Sequence, residues 1–215
     1  MRPRFEILSL DDLERLPSTS GALTLLPIRR TVGFRPFGVN AWLGAAAGDH
    51  VIERHYEKGG DEELYVVVRG RATFTVGDDT VDAPAGTLVH LPAGTLREAV
   101  AAADDTIVLA AGAKPGEAWQ PAPWEDFHVA FAYRAAGKVA EARALVADTL
   151  ERHPGTWQGE YNAACFEALE GSDDAAFAHL GRALELEPKV VRDFAPGDAD
   201  LNRLHTDPRW QELFG

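Results

Sequence analysis

The chain has 215 residues, 46% of them hydrophobic and 26% charged, the balance of a globular protein rather than a disordered one. Its 34 acidic residues outweigh 21 basic ones for a formal net charge of -13, which repels phosphate backbones and argues against nucleic acid and anionic membranes as partners. No apolar run approaches the roughly 20 residues that span a bilayer, and a single cysteine, Cys165, excludes an internal disulfide framework.

Met1–Leu10 lacks the long apolar core of a signal peptide. With one cysteine, this predicts a cytoplasmic protein. Ser9 is placed to cap a short helix through Asp11, Asp12, Leu13 and Leu16, stopped at Pro17. Short strand-like runs follow at Leu23–Arg30, Phe37–Leu43, Val51–Tyr56, Glu63–Val68, Arg71–Val76, Thr80–Ala83, Thr87–Leu91, Leu96–Val100 and Thr106–Ala110. Turn chemistry such as Gly77-Asp78-Asp79 and Pro84-Ala85-Gly86 separates them, the spacing of an all-β sandwich or barrel.

Near residue 115 the composition changes to alanine-rich helical segments. Lys114-Pro115-Gly116, with Pro121 and Pro123, reads as a linker. The expected organisation is therefore a β domain over 1–114, a linker over 115–123 and an all-α domain over 124–215. The second half repeats at 34 residues: Ala130 falls on Ala164, Gly137 on Gly171, Ala142 on Ala176, Ala144 on Ala178, and Leu150, Glu151 and Pro154 on Leu184, Glu185 and Pro188. Small residues let two helices approach closely, a glycine allows the turn between them, and a proline ends the second. Residues 124–188 thus resemble tetratricopeptide repeats, with Tyr133 at that family's tyrosine and Glu167 in its place in the second copy. Pro208–Phe214 reads as a short capping helix. Two such repeats make a short unit that needs a cap or a neighbour.

In the first half, Gly86-Thr87-Leu88-Val89-His90-Leu91-Pro92-Ala93-Gly94 fits the opening of the second cupin motif without a gap, but Arg97 stands at its histidine and Ala101 at its asparagine. Glu63-Leu64-Tyr65-Val66-Val67-Val68-Arg69-Gly70 fits the end of the first motif. His55 fits its first histidine only with one extra loop residue, which puts Glu57 on the second. Residues 36–112 therefore resemble the cupin family, and the resemblance implies a cupin-type antiparallel β-barrel (jelly roll). It also implies a homodimer through the barrel strands, for which the strand around Leu23–Leu26 would otherwise leave an open edge.

The family's metal site uses three histidines and a glutamate. Here the matching positions, with a nearby histidine, supply His55, Glu57, Glu63, His90 and Arg97 as candidate ligand or cavity residues. A guanidinium cannot ligate a metal, so no cofactor is favoured. The alternative is a divalent transition metal (Fe, Mn, Ni or Zn) held by His55, Glu57, Glu63 and His90. Each residue also has an ordinary reading: Glu63 as an acid opening a strand, His55 as a surface residue, His90 as a core histidine, Arg97 as a salt-bridge partner. The sharper expectation is that Arg97 faces Glu63 with paired hydrogen bonds where the metal would sit. His50, His128, His153, His179 and His205 show no ligand spacing, and Cys165 reads as a packing residue. The favoured function is a non-catalytic cupin module that binds a small molecule or serves as a scaffold, with helical repeats for association with a protein partner. The alternative is a metal-dependent cupin oxygenase or isomerase of a small polar substrate.

Overall fold

A computed structural model describes residues 7–18, 23–57 and 60–215. The chain divides into two compact units, Met1–Pro121 and Ala122–Gly215. The division falls inside the segment read as a linker.

Among the described residues the first element of this unit is a 3-10 turn, Leu10–Asp12. Ser9 caps it by accepting from the Asp11 N–H at 3.2 Å, and the Asp12 carboxylate accepts from the Ser9 N–H at 3.1 Å. The longer helix expected here does not form, because Leu16 is buried in a strand pair instead. Strand β1 (Leu16–Pro17) sets Leu16 against Leu25 of β2 (Thr24–Leu26). The run Leu23–Arg30 is likewise not one strand: Pro27, with no N–H to give a ladder, ends it, and Ile28–Val32 turns into helix α1. Eight further strands follow: β3 (Gly38–Gly44), β4 (His50–His55), β5 (Glu62–Arg69), β6 (Arg71–Val76), β7 (Asp79–Pro84), β8 (Leu88–Leu91), β9 (Arg97–Ala101) and β10 (Thr106–Ala113).

All pairings are antiparallel. One sheet has the order β1-β2-β3-β10-β5-β8, the other β4-β9-β6-β7. Among the described residues no ladder joins the two, so the expected closed barrel is two cupin-type sheets packed face to face. β2 lies between β1 and β3, which removes the open-edge argument at Leu23–Leu26. Alternation drives the packing. Tyr65, Val67, Leu91 and Val108 of the first sheet meet Val51, Ile52, Phe74, Ala83, Ala99 and Ala101 of the second in one buried cluster. A separate cluster, Leu13, Leu26, Ala41, Leu43 and Ile107, ties the N-terminal lead-in to β3 and β10.

The second unit is helical: α2 (Pro123–Ala135), α3 (Val139–Arg152), α4 (Trp157–Leu169), α5 (Asp173–Leu186), α6 (Pro188–Phe194), 3-10 turns over Ala195–Gly197 and Ala199–Leu204, and α7 (Pro208–Phe214). Gly137 and Gly171 lie in the α2–α3 and α4–α5 turns with φ of 77° and 79°, a left-handed conformation that a side chain disfavours. Ala130, Ala142, Ala164 and Ala176 are completely buried, as their repeat spacing requires. Pro188 does more than end a helix: it opens α6 at its first turn. Glu167 is buried and accepts from Arg143, whose guanidinium lies 5.4 Å from the Phe166 ring centroid. α7 packs Trp210 on Phe214, with centroids 4.3 Å apart. Among the described residues no helix is long and apolar enough to cross a membrane.

Candidate functional site

The site forms between the sheets at one end of the first unit. On β9, alternation turns Arg97, Ala99 and Ala101 inward, and all three are buried. On β5, the residues Glu63, Tyr65 and Val67 share the inward face, and Glu63 pairs with Gly112 of β10. The small Gly112 lets Glu63 lean across β10, since a Cβ there would come within 2.7 Å of the Glu62 carbonyl oxygen and 2.9 Å of Glu63 Cγ. β4 ends at His55, which is paired with Arg97, and Glu57 lies two residues beyond.

Arg97 is 0% exposed. Its Nη2 donates to Glu63 Oε2 at 2.6 Å and its Nη1 to the Thr95 carbonyl at 3.0 Å. The pairing of Arg97 with Glu63 is thus present, but the two hydrogen bonds expected to the carboxylate are split between Glu63 and a main-chain carbonyl. The same Glu63 oxygen accepts from the Tyr65 hydroxyl. Burial, then the adjacent Glu63 charge, pushes the Tyr65 phenol well up, so Tyr65 remains a donor. Tyr65 was missed in reading the sequence, although alternation from Glu63 was the signal that would have found it.

His55 forms the outer part of the site. Its Nδ1 lies 2.7 Å from the Glu53 carbonyl, which can only accept, so Nδ1 carries a proton. Nε2 faces Glu57 Oε1 at 3.3 Å and Glu63 Oε2 at 3.9 Å. A protonated Nε2 satisfies Glu57. The hydrogen bond to Glu57 is accordingly the main reason the imidazole is pushed up from 6.5, helped by the Glu53 carbonyl and Glu63 and opposed by burial and Arg97. The same bond pushes Glu57 down. With His55 protonated, two cations and two carboxylates face one another.

His90 is not part of this group. On β8 the inward residues are Val89 and Leu91, which lie opposite Tyr65 and Glu63. His90 lies opposite Leu64 on the outer face, with its side chain 60% exposed and Nε2 3.6 Å from Glu62 Oε2. The face it shares with Leu88 is the outer one.

His55, Glu57 and Glu63 bring three donor atoms within 4.8 Å of one another. They do not fit a transition-metal centre as they stand. They supply one imidazole, and the Glu63 oxygen nearest His55 is already taken by Arg97 and Tyr65. Ligation would leave a guanidinium buried beside the incoming cation. A second group with donor atoms within 4.8 Å of one another is Cys165, Asp198 and Asp200. Asp198 caps a 3-10 turn by accepting from the Asp200 N–H and also accepts from Tyr161 and Cys165, while burial pushes the Cys165 thiol up and keeps it protonated.

Residues 43–111, within the first unit, match the family model described as cupin domain. No curated protein matches the chain. Among solved structures, the chain is similar to a cupin protein of Bacteroides fragilis (18% identity, 56% of this chain and 92% of that one, TM-score 0.40). It is also similar to a sugar phosphate isomerase of the cupin superfamily from Silicibacter pomeroyi (18%, 51% and 77%, 0.43). A third is an RmlC-like cupin from Shewanella frigidimarina (12%, 54% and 97%, 0.39). At these values the likenesses carry no argument about activity.

Proposed function

We propose that this protein is a metal-independent binding module of the cytoplasm. Its cupin unit takes a small polar molecule at the rim formed by His55 and Glu57. Its helical unit, read as two tetratricopeptide-like repeats with a cap, associates with a protein partner. One observation carries the reading: the fully buried Arg97 donates at 2.6 Å to Glu63, the residue the resemblance makes a metal ligand. An internal cation bonded to that carboxylate does the neutralising that a metal ion would do, and leaves His55 and Glu57 to face solvent and ligand. The approach of His55, Glu57 and Glu63 within 4.8 Å is what favours the second reading, a metal-dependent oxygenase or isomerase.

The test is a thermal-unfolding screen with a small-molecule library and, in parallel, with Mn, Fe, Ni and Zn salts. Binding of a ligand to the native state raises the midpoint. The expected result is that small polar molecules raise it, that Glu57→Gln removes their effect, and that the metals and a chelator leave it unchanged. A rise with one metal, lost in Glu57→Gln, overturns this reading in favour of the enzyme.

A further inference from the structure

Charge is unevenly spread along this acidic chain. From Arg15 to Gly48 there is no aspartate or glutamate, although the chain holds 34 acidic residues, and Arg15, Arg29, Arg30 and Arg35 all fall within that stretch. Three of these arginines lie on one segment, α1 and the loop that leads from it to β3. The backbone there is fixed. The Arg29 N–H donates to Asn40 Oδ1 at 3.3 Å and the Thr31 hydroxyl to the Pro27 carbonyl at 2.7 Å. After Gly33, at φ 68°, the Phe34 N–H donates back to the Arg29 carbonyl at 3.0 Å. The segment is apolar as well as basic. Phe34 and Phe37 meet edge to face with centroids 4.8 Å apart, yet Phe37 and Val32 are each 39% exposed. Trp119 lies alongside: its ring centroid is 5.3 Å from the Arg29 guanidinium carbon, and its Nε1 would be 3.5 Å from a Cβ on Gly38. Arg30 and Arg35 are exposed, and among the described residues Arg35 has no ion pair. Glu117, two residues before Trp119, is bound to Lys114 at 2.7 Å.

We propose that this segment, with Trp119, is a docking surface for an acidic segment of a partner protein. Carboxylates of that segment meet Arg30 and Arg35, and an apolar side chain between them packs on Val32, Phe37 and Trp119. Arginine and aromatic side chains are the types that protein-binding surfaces concentrate. Charge complementarity selects the occupant. A chain of net charge -13 repels a polyanion that runs on past the patch, as a nucleic acid or an anionic bilayer does. A short peptide segment meets the local arginines, and charges farther away than about 8 Å are largely screened at physiological salt. A second copy docked by the same face about a two-fold axis would bring arginines against arginines. The fixed backbone keeps the ordering cost of binding low. This inference is independent of what binds at His55 and Glu57.

The experiment measures fluorescence anisotropy of a labelled peptide of glutamates interspersed with leucines, titrated with the whole chain. Saturable binding that weakens with added salt is expected. Arg35→Glu and Phe37→Ser, both at exposed side chains, should each weaken it by about tenfold or more while leaving the unfolding midpoint near that of wild type. Arg54→Glu, on the other sheet, should leave binding unchanged, which controls for net charge. A glutamate–serine peptide and a lysine–leucine peptide should bind far more weakly. The proposal is overturned if no binding is seen up to millimolar protein, if both variants bind as wild type does, or if the two control peptides bind equally well. It is also overturned if anionic vesicles or a single-stranded oligonucleotide bind more tightly and are lost in the same variants, or if Phe37→Ser dissolves a dimer instead.

Discussion

Replacing Arg97 with alanine strands Glu63 between the sheets. Breaking a buried ion pair by removing one partner costs about 3–5 kcal/mol, because the other charge stays buried and uncompensated. Two features place this case near the lower end. Glu63 keeps the Tyr65 hydroxyl, and its side chain is 17% exposed, so some water reaches it. The expected loss is about 3 kcal/mol, read from the midpoint of denaturant unfolding at constant slope. Glu63→Gln should cost a comparable amount, since it leaves the guanidinium of a residue with no exposure against a neutral amide. The double variant Arg97→Met with Glu63→Leu removes both charges and keeps the volume filled. It should be far more stable than the sum of the singles, and close to wild type. Additive effects, or an Arg97→Ala loss below about 1 kcal/mol, the scale of an exposed pair, would refute the assignment of a buried, mutually dependent pair.

Arg97→His restores an imidazole beside His55, Glu57 and Glu63 and should give measurable Zn or Ni affinity by calorimetry where wild type gives none. Gly112→Ala would drive a methyl group into the Glu62 carbonyl and Glu63 Cγ, and should destabilise by about 1–3 kcal/mol in the same unfolding assay. Ala142→Leu and Ala176→Leu should each overpack the helical unit by about 1–3 kcal/mol; unchanged unfolding of both would contradict their place at closely packed helix contacts. His55, raised above 6.5 by folding, contributes stability that is complete below 6.5 and fades as pH rises through its folded value. Glu57, lowered from 4.5, contributes stability that is present above 4.5 and fades as pH falls through its folded value. The stability gap between wild type and His55→Gln should therefore narrow on the alkaline side; a gap that widens there would contradict the His55–Glu57 pairing.

The helical hairpins of the second half were legible because they rest on small and turn-forming residues at fixed offsets. Ala130 with Ala164 and Ala142 with Ala176 are buried in pairs, and Gly137 and Gly171 take the same left-handed conformation. Most strand positions were legible for the same kind of reason, since alternation and turn residues are local. Where the reading failed, a tertiary contact had overridden a local preference. Leu16 left a helical pattern to pair with Leu25, and the Leu23–Arg30 run broke at Pro27. The site shows the same division. Glu63 and Arg97 lie 34 residues apart in sequence, and only the identity of both positions in a known motif suggested that they meet. His90 sits inside that motif but one face away, and deciding between inward and outward needed the pairing of Leu91 with Glu63. Thr95 takes part through its carbonyl, which no residue type reveals.

In the reading proposed above, Arg97 bonded to Glu63 takes the place of a metal ion. The decisive measurement is elemental analysis of the 215-residue chain, purified without a histidine tag and dialysed against Fe, Mn, Ni and Zn in turn. Metal contents should be far below one per chain for wild type and should increase on Arg97→His. Near-stoichiometric metal in wild type, lost on Glu63→Gln, would contradict it.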